Sequence, residues 1–156
     1  MANVIFDTNV YGKIIEDKDS ERLIEFIIRK DSFIIHNFKI IRDELRKAPK
    51  LALAVYDRLV KTHMNQDTRE IDHLADAYHD EYKKMNGVKK KTDIITDFKI
   101  VAFASLKNCD LIFSDDEKTM KHPIAKEAYK ILNLRKNIRT LTFYNYSGLK
   151  KSFLGY

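Results

Sequence analysis

Short runs of strand-favouring apolar residues alternate with longer stretches of helical spacing along this 156-residue chain. Residues 3–6 read as a buried strand of four, closed by the polar punctuation Asp7–Thr8–Asn9. Helical spacing begins at Val10 and carries Ile14 and Ile15, then Leu23, Ile24 and Ile27, with a polar break at 16–21 and Ser20 as the expected N-cap of a second helix. Residues 33–36 form a second strand candidate. Helices follow over 39–47, 51–63 and 68–85, with Gly87 as the expected stop of the last. A periodic helix over 93–106 places Ile100, Phe103 and Ala104 on one side. A third strand spans 111–114, a helix 125–134, and a last alternating strand 138–143. Strands alternating with helices in this order predict an α/β fold, a parallel sheet with helices on both faces. Residues 144–156 are a basic, aromatic tail with no predicted place.

Composition narrows the class. The length suits one domain, 1–156, with 44% hydrophobic and 33% charged residues. Lys and Arg number 29 against 23 Asp and Glu, a net charge of +6 and a pI of about 9.2, which favours a polyanionic partner. One cysteine, Cys109, excludes an internal disulfide and a multi-cysteine zinc site. No run approaches the roughly 20 apolar residues of a membrane span, and the first residues lack a signal-peptide pattern. The expectation is a cytoplasmic protein with no membrane partner.

The acids are placed where chemistry is done. Ligands of parallel α/β sheets bind where strands end and helices begin. Asp7 follows the first strand and Asp115–Asp116 the third, while Glu44 and Asp97 sit on helical segments beside core-facing apolar residues. Converging carboxylates repel: at about 4 Å and an effective dielectric near 20, each pair costs roughly 4 kcal/mol. A hard divalent cation with oxygen ligands, Mg²⁺ or Mn²⁺, removes that cost and supports metal-assisted phosphodiester hydrolysis.

Phe6–Asp7–Thr8–Asn9, Glu44–Leu45, Asp97 in D-x-x-I-V-A-F-A, and Ser114–Asp115–Asp116 resemble the four motifs of the PIN-domain nucleases, a family that includes VapC-like toxin ribonucleases. The four acids come in order, 37, 53 and 19 residues apart. The resemblance implies a PIN-like three-layer fold with a central five-stranded parallel sheet of order 3-2-1-4-5. It also implies a Mg²⁺- or Mn²⁺-dependent endoribonuclease acting on RNA, often a homodimer, with a protein antitoxin as partner if the chain is the toxin of a toxin–antitoxin pair. Carried over by residue, Asp7, Glu44, Asp97 and Asp116 are the catalytic, metal-binding acids, and Thr8, Asn9 and Ser114 orient carboxylates or water. The fourth motif has Ser for Thr and two adjacent acids, so Asp115 is an alternate ligand to Asp116.

Other features have blander readings. Asp93 is either the N-cap of the 93–106 helix or a further member of the acidic cluster. Lys89, Lys90 and Lys91 either hold RNA phosphates or form a solvated loop. His73, Asp76, His79 and Asp80 read as a solvated helix face rather than a metal site. In the tail, Tyr144, Tyr146, Phe153 and Tyr156 read as core packing or a dimer contact ahead of base stacking. Two rival functions stand beside the nuclease: a non-catalytic RNA-binding or ribosome-assembly module on the same fold, and a DNA or flap nuclease.

Overall fold

A computed structural model describes all residues, 1–156. Four parallel strands form the sheet: β1 (Ala2–Phe6), β2 (Phe33–Ile35), β3 (Leu111–Phe113) and β4 (Thr142–Tyr144), in the order β2-β1-β3-β4. The helices are α1 (Thr8–Glu16), α2 (Ser20–Lys30), α3 (Lys39–Leu45), α4 (Lys50–Leu59), α5 (Arg69–Lys84), α6 (Lys91–Leu106), α7 (Pro123–Arg135) and α8 (Tyr146–Leu154). The register Val4↔Leu111 and Phe6↔Phe113 lines Phe6, Phe33 and Phe113 on one face, where Phe33 meets Phe153 of α8 and Phe6 meets Tyr11 of α1. Ile5, Ile112 and Phe143 point to the other face, where Phe143 stacks on Tyr129 of α7. Helices therefore flank both faces, and 40 buried apolar side chains form one contiguous core. A sheet covered on both sides needs strands apolar on both sides, which is why its strands read as unbroken apolar runs.

The expected fifth strand is not formed. After α4 the chain does run beside β2, but it pairs only at two isolated bridges, Ile35↔Val60 and Phe38↔Asn65. Six residues on the outer segment, 60–65, face four on its partner, 35–38, so no continuous ladder can hold register, and the intervening Lys61–Thr62–His63 is polar. The four strands that do form keep the expected relative order.

Several boundaries differ for local reasons. Asp19, not Ser20, occupies the N-cap of α2. At the end of α5 the left-handed residue is Asn86 (φ 64°), while Gly87 donates its N–H to the Tyr82 carbonyl at 2.9 Å. Gly87 is needed for closeness instead: a Cβ there would lie 2.4 Å from the Tyr82 ring. The last strand starts at Thr142, because Asn137 (φ 56°) and Ile138, which donates its N–H to the Asn133 carbonyl at 2.7 Å, close the end of α7. Helix α6 is not one-sided. Ile100 through Ser105 are all buried, so the helix runs through the interior and gives Asp97 a rigid base. His79 is also buried, against Tyr82 and Phe98, not on a solvated face. The tail packs within the chain. Tyr146 donates its hydroxyl to Asp17 at 2.6 Å, Tyr156 to Asp19 at 2.7 Å, and Lys150 pairs with Asp17 at 3.0 Å. No helix is long and apolar enough to cross a membrane.

Candidate functional site

The turn from β1 into α1 builds the centre of the site. Asp7 has an extended backbone (φ −66°, ψ 157°) and caps α1, its Oδ1 accepting the Thr8 N–H at 2.8 Å. Only 4% of its surface is exposed. Parallel pairing of β1 with β3 sets Ser114 beside it, and the Ser114 hydroxyl donates to Asp7 Oδ2 at 2.7 Å. The Asn9 amide donates to the same oxygen at 3.0 Å, while its Oδ1 accepts the Asp115 N–H at 3.0 Å. Ser114 Oγ in turn accepts the Asp116 N–H at 3.1 Å. One hydrogen-bonded unit thus spans the ends of two strands.

The other acids come in from separate elements. Glu44, on α3, accepts the Thr8 hydroxyl at 3.0 Å, whereas its neighbour Asp43 turns away to Lys39 at 2.5 Å. Asp97, on α6, accepts the Thr119 hydroxyl on its Oδ2 at 2.7 Å. That same hydroxyl meets Asp116 Oδ2. Asp116 Oδ1 accepts the backbone N–H groups of Lys118 and Thr119 at 3.1 and 2.9 Å. Lys121, almost fully buried, donates to the Ser114 carbonyl at 2.8 Å and pairs with Glu117, tying down the loop after β3.

Burial and mutual repulsion set the electrostatics. Burial is the main force lifting the Asp7 carboxyl to about 6. The bonds from Ser114 and Thr8 oppose the rise, and the charges of Glu44 and Asp116 add to it. Burial likewise lifts Asp97 to about 7, against the Thr119 bond and with the charges of Asp7, Asp116 and Glu44. Burial raises Glu44 as well. Asp116 goes the other way: burial pushes it up, but the Thr119 hydroxyl and the N–H groups of Thr119, Met120 and Lys118 outweigh that and hold it below the usual range. A hydroxyl has one hydrogen, so Thr119 cannot donate to two carboxylates at once.

The four acids share one electrostatic neighbourhood, Asp97 feeling the other three and Asp7 feeling Glu44 and Asp116. They are not packed as finished ligands: no three His, Cys, Asp or Glu side chains are grouped closely enough to hold an ion as they stand. The donor set nevertheless fits a hard cation in kind, being all carboxylate oxygen and carrying uncompensated negative charge. Side-chain rotation about fixed backbones would have to complete the coordination.

The remaining expected residues fall outside this group. Asp115 directs its carboxylate to the N–H of Tyr146 at 2.8 Å, holding the start of α8, and leaves Asp116 as the acid facing Asp97. Asp93 is exposed in the first turn of α6, whose N-cap is Lys90, so it neither caps the helix nor enters the cluster. Lys91 pairs with Asp76 at 2.9 Å, and the Lys89 N–H is donated to the Tyr82 hydroxyl at 2.9 Å; Lys90 is exposed. An apolar cleft of about 430 Å³, lined by Phe33, Leu111, Phe113, Tyr144 and Phe153, lies apart from the acids. Thr119 is the site residue that motif reading missed. Its only sequence signal is a Thr three residues after Asp116, a common turn pattern.

No protein-family model matches the chain, and no curated protein matches its sequence. Its fold does have a counterpart. The chain is similar to one in the crystal structure of VapBC2 from Rickettsia felis bound to a DNA fragment from their promoter. The TM-score is 0.55 at 12% identity, over 92% of this chain and 98% of that one. At that identity the likeness carries the architecture alone: helices around a parallel sheet, consistent with a PIN-like fold.

Proposed function

We propose that this protein is a metal-dependent endoribonuclease, hydrolysing RNA phosphodiesters with Mg²⁺ or Mn²⁺ held by Asp7, Glu44, Asp97 and Asp116. The observation that carries the reading is the convergence of acids from the end of β1, α3, α6 and the loop after β3 in one partly buried place, where burial first and the neighbouring carboxylates second lift Asp7 to about 6 and Asp97 to about 7. A protein that only binds a polyanion gains nothing from such a group. When bound, a divalent cation supplies Lewis-acid activation of water and of the phosphoryl oxygen. The chain's own part is orientation. Ser114 and Asn9 fix the Asp7 carboxylate, Thr8 fixes Glu44, and the amides of Lys118 and Thr119 fix Asp116.

The fold shared with a chain of VapBC2 supports the narrower reading of a toxin ribonuclease, whose partner would be a protein antitoxin. One observation favours the non-catalytic RNA-binding alternative, namely that no three acids stand at ligand spacing without rearrangement. RNA cleavage separates the two. Wild type in Mn²⁺ should produce new RNA ends that EDTA abolishes, and Asp7→Asn should produce none while melting as a folded protein. Equal turnover by wild type and Asp7→Asn, in preparations free of contaminating nuclease, would refute the nuclease.

A further inference from the structure

We propose that single-stranded RNA reaches the acidic site across the outer face of α1, its backbone lying against Gly12 and its phosphates held by Lys13, Lys47 and Lys118. The inference rests on the ribonuclease reading above and names the surface that would bring substrate to the acids. Gly12 sits in the middle of α1, three residues after Asn9 and four after Thr8, one turn beyond the side chains that hold Asp7 and Glu44. Glycine weakens a helix relative to alanine, and nothing within the chain requires it here. The backbone is ordinary right-handed helix, Gly155 being the one glycine with positive φ. A Cβ on Gly12 would meet no atom within 4 Å, so no neighbouring element needs the space, in contrast to Gly87 and the Tyr82 ring. A gap kept on an outer helix face at a cost to the helix suits the close approach of something outside the chain.

Charge identifies the occupant. Four carboxylates repel a polyanion, so a phosphodiester chain can settle over them only beside cations. Lys13 lies four residues after Asn9 and so on the same face of α1. Lys47, just past α3, donates its N–H to the Glu44 carbonyl at 3.1 Å. Burial raises the Glu44 carboxyl, while the Thr8 bond and the charge of Lys47 pull it down, which places that charge on the Glu44 side. Lys118 donates its N–H to Asp116 Oδ1 at 3.1 Å. All three lysines are exposed, and none forms a salt bridge, unlike Lys39 with Asp43 and Lys121 with Glu117. One free cation thus comes from each of the segments that supply Asn9, Glu44 and Asp116. A phosphodiester chain matches both features, being anionic along its length and thin enough to lie against bare helix backbone.

Fluorescence anisotropy of a labelled single-stranded RNA of mixed sequence, titrated in EDTA so that none is cleaved, reads binding apart from activity. Gly12→Gln, a better helix former in open space, should raise Tm by about 1–4 °C. The same variant should weaken RNA binding about 5-fold or more, because its side chain fills the approach. A purely structural role for Gly12 would not move the two readouts in opposite senses. Lys13→Gln, Lys47→Gln and Lys118→Gln combined should reduce the slope of log affinity against log salt by about 2, at roughly 0.7 per phosphate contact. Lys136→Gln, beyond the end of α7, should leave that slope unchanged. Unchanged RNA affinity in Gly12→Gln, an unchanged slope in the triple lysine variant, or a wild type that takes up no RNA would overturn the inference, while RNA cleavage by wild type in Mn²⁺ would still uphold the nuclease. A Gly12→Gln variant that loses a dimer in sedimentation and keeps its RNA affinity would assign the face to a second copy and overturn it too. The predicted losses in a protein that never cleaves RNA in Mn²⁺ would keep the RNA path and sink the nuclease.

Discussion

Replacing Asp97 with Asn should make the metal-free protein more stable, by a margin that grows from about pH 4 to about pH 7. Burial, with the charges of Asp7, Asp116 and Glu44, holds the folded carboxyl at about 7, against an ordinary value of 3.8. The folded state therefore binds this proton more tightly than the unfolded state. Its contribution is fully present below about pH 4 and is lost as pH rises through 7. At about 1.4 kcal/mol per pH unit, the gap between those values sets a ceiling of about 4 kcal/mol on the penalty at pH 8. Asp7, at about 6, acts in the same sense between pH 4 and 6, and the two are coupled, so the separate ceilings do not add. Asparagine removes the charge and can still accept the Thr119 hydroxyl. In EDTA at pH 8, Asp97→Asn should exceed wild type by about 2–4 kcal/mol in urea unfolding, or roughly 4–16 °C in Tm for a chain of this length. At pH 5, where the folded Asp97 is protonated but the unfolded one is largely ionised, the gap should fall to less than half, and it should close below about pH 4. A variant destabilised at pH 8, or an equal difference at both pH values, would refute the reasoning.

Three further outcomes follow from single contacts. Asp115→Ala removes the acceptor of the Tyr146 N–H and should lower stability by about 1–3 kcal/mol in urea unfolding. Calorimetry should find its Mn²⁺ affinity within about 2-fold of wild type; a loss matching that of Asp116→Ala would mean the wrong acid has been assigned. Gly87→Ala drives a methyl against the buried Tyr82 ring and should cost about 1–3 kcal/mol, seen as a lower Tm; an unchanged Tm would contradict the close approach. Asp17→Ala frees the Tyr146 hydroxyl and leaves Lys150 only its longer pairing with Asp19, so amide exchange across α8 should quicken while that of α6 does not.

Much of the architecture was legible because local and global preferences agree. The apolar runs at Val4–Ile5–Phe6 and Leu111–Ile112–Phe113 are strands because both faces are covered, and the acids following them mark the strand ends. The missing strand was not legible, since whether Val60 to Asn65 can keep register with β2 depends on residue count across a three-dimensional edge. The interior course of α6 was hidden too: Ile100, Phe103 and Ala104 suggest one apolar face, but Val101, Ala102 and Ser105 are buried as well. At the site, Asp7, Glu44, Asp97 and Asp116 were visible from their places at strand ends and beside core-facing residues, although Asp7 also has the local role of capping α1. That Asp116 and not Asp115 faces Asp97 depends on α8, a tail with no predicted place whose first N–H takes the Asp115 carboxylate. Thr119 escaped notice because hydroxyl bridges depend on side-chain direction, and threonine in a turn is ordinary.

An anomalous-scattering map from crystals grown in Mn²⁺ tests the central claim most directly. A manganese peak should appear bounded by carboxylate oxygens of Asp7, Asp97 and Asp116, with Glu44 nearby and the Asp97–Asp116 pair turned toward the ion. Crystals saturated with Mn²⁺ that show no peak among these acids, their side chains still bonded only to Ser114, Asn9 and Thr119, would contradict it.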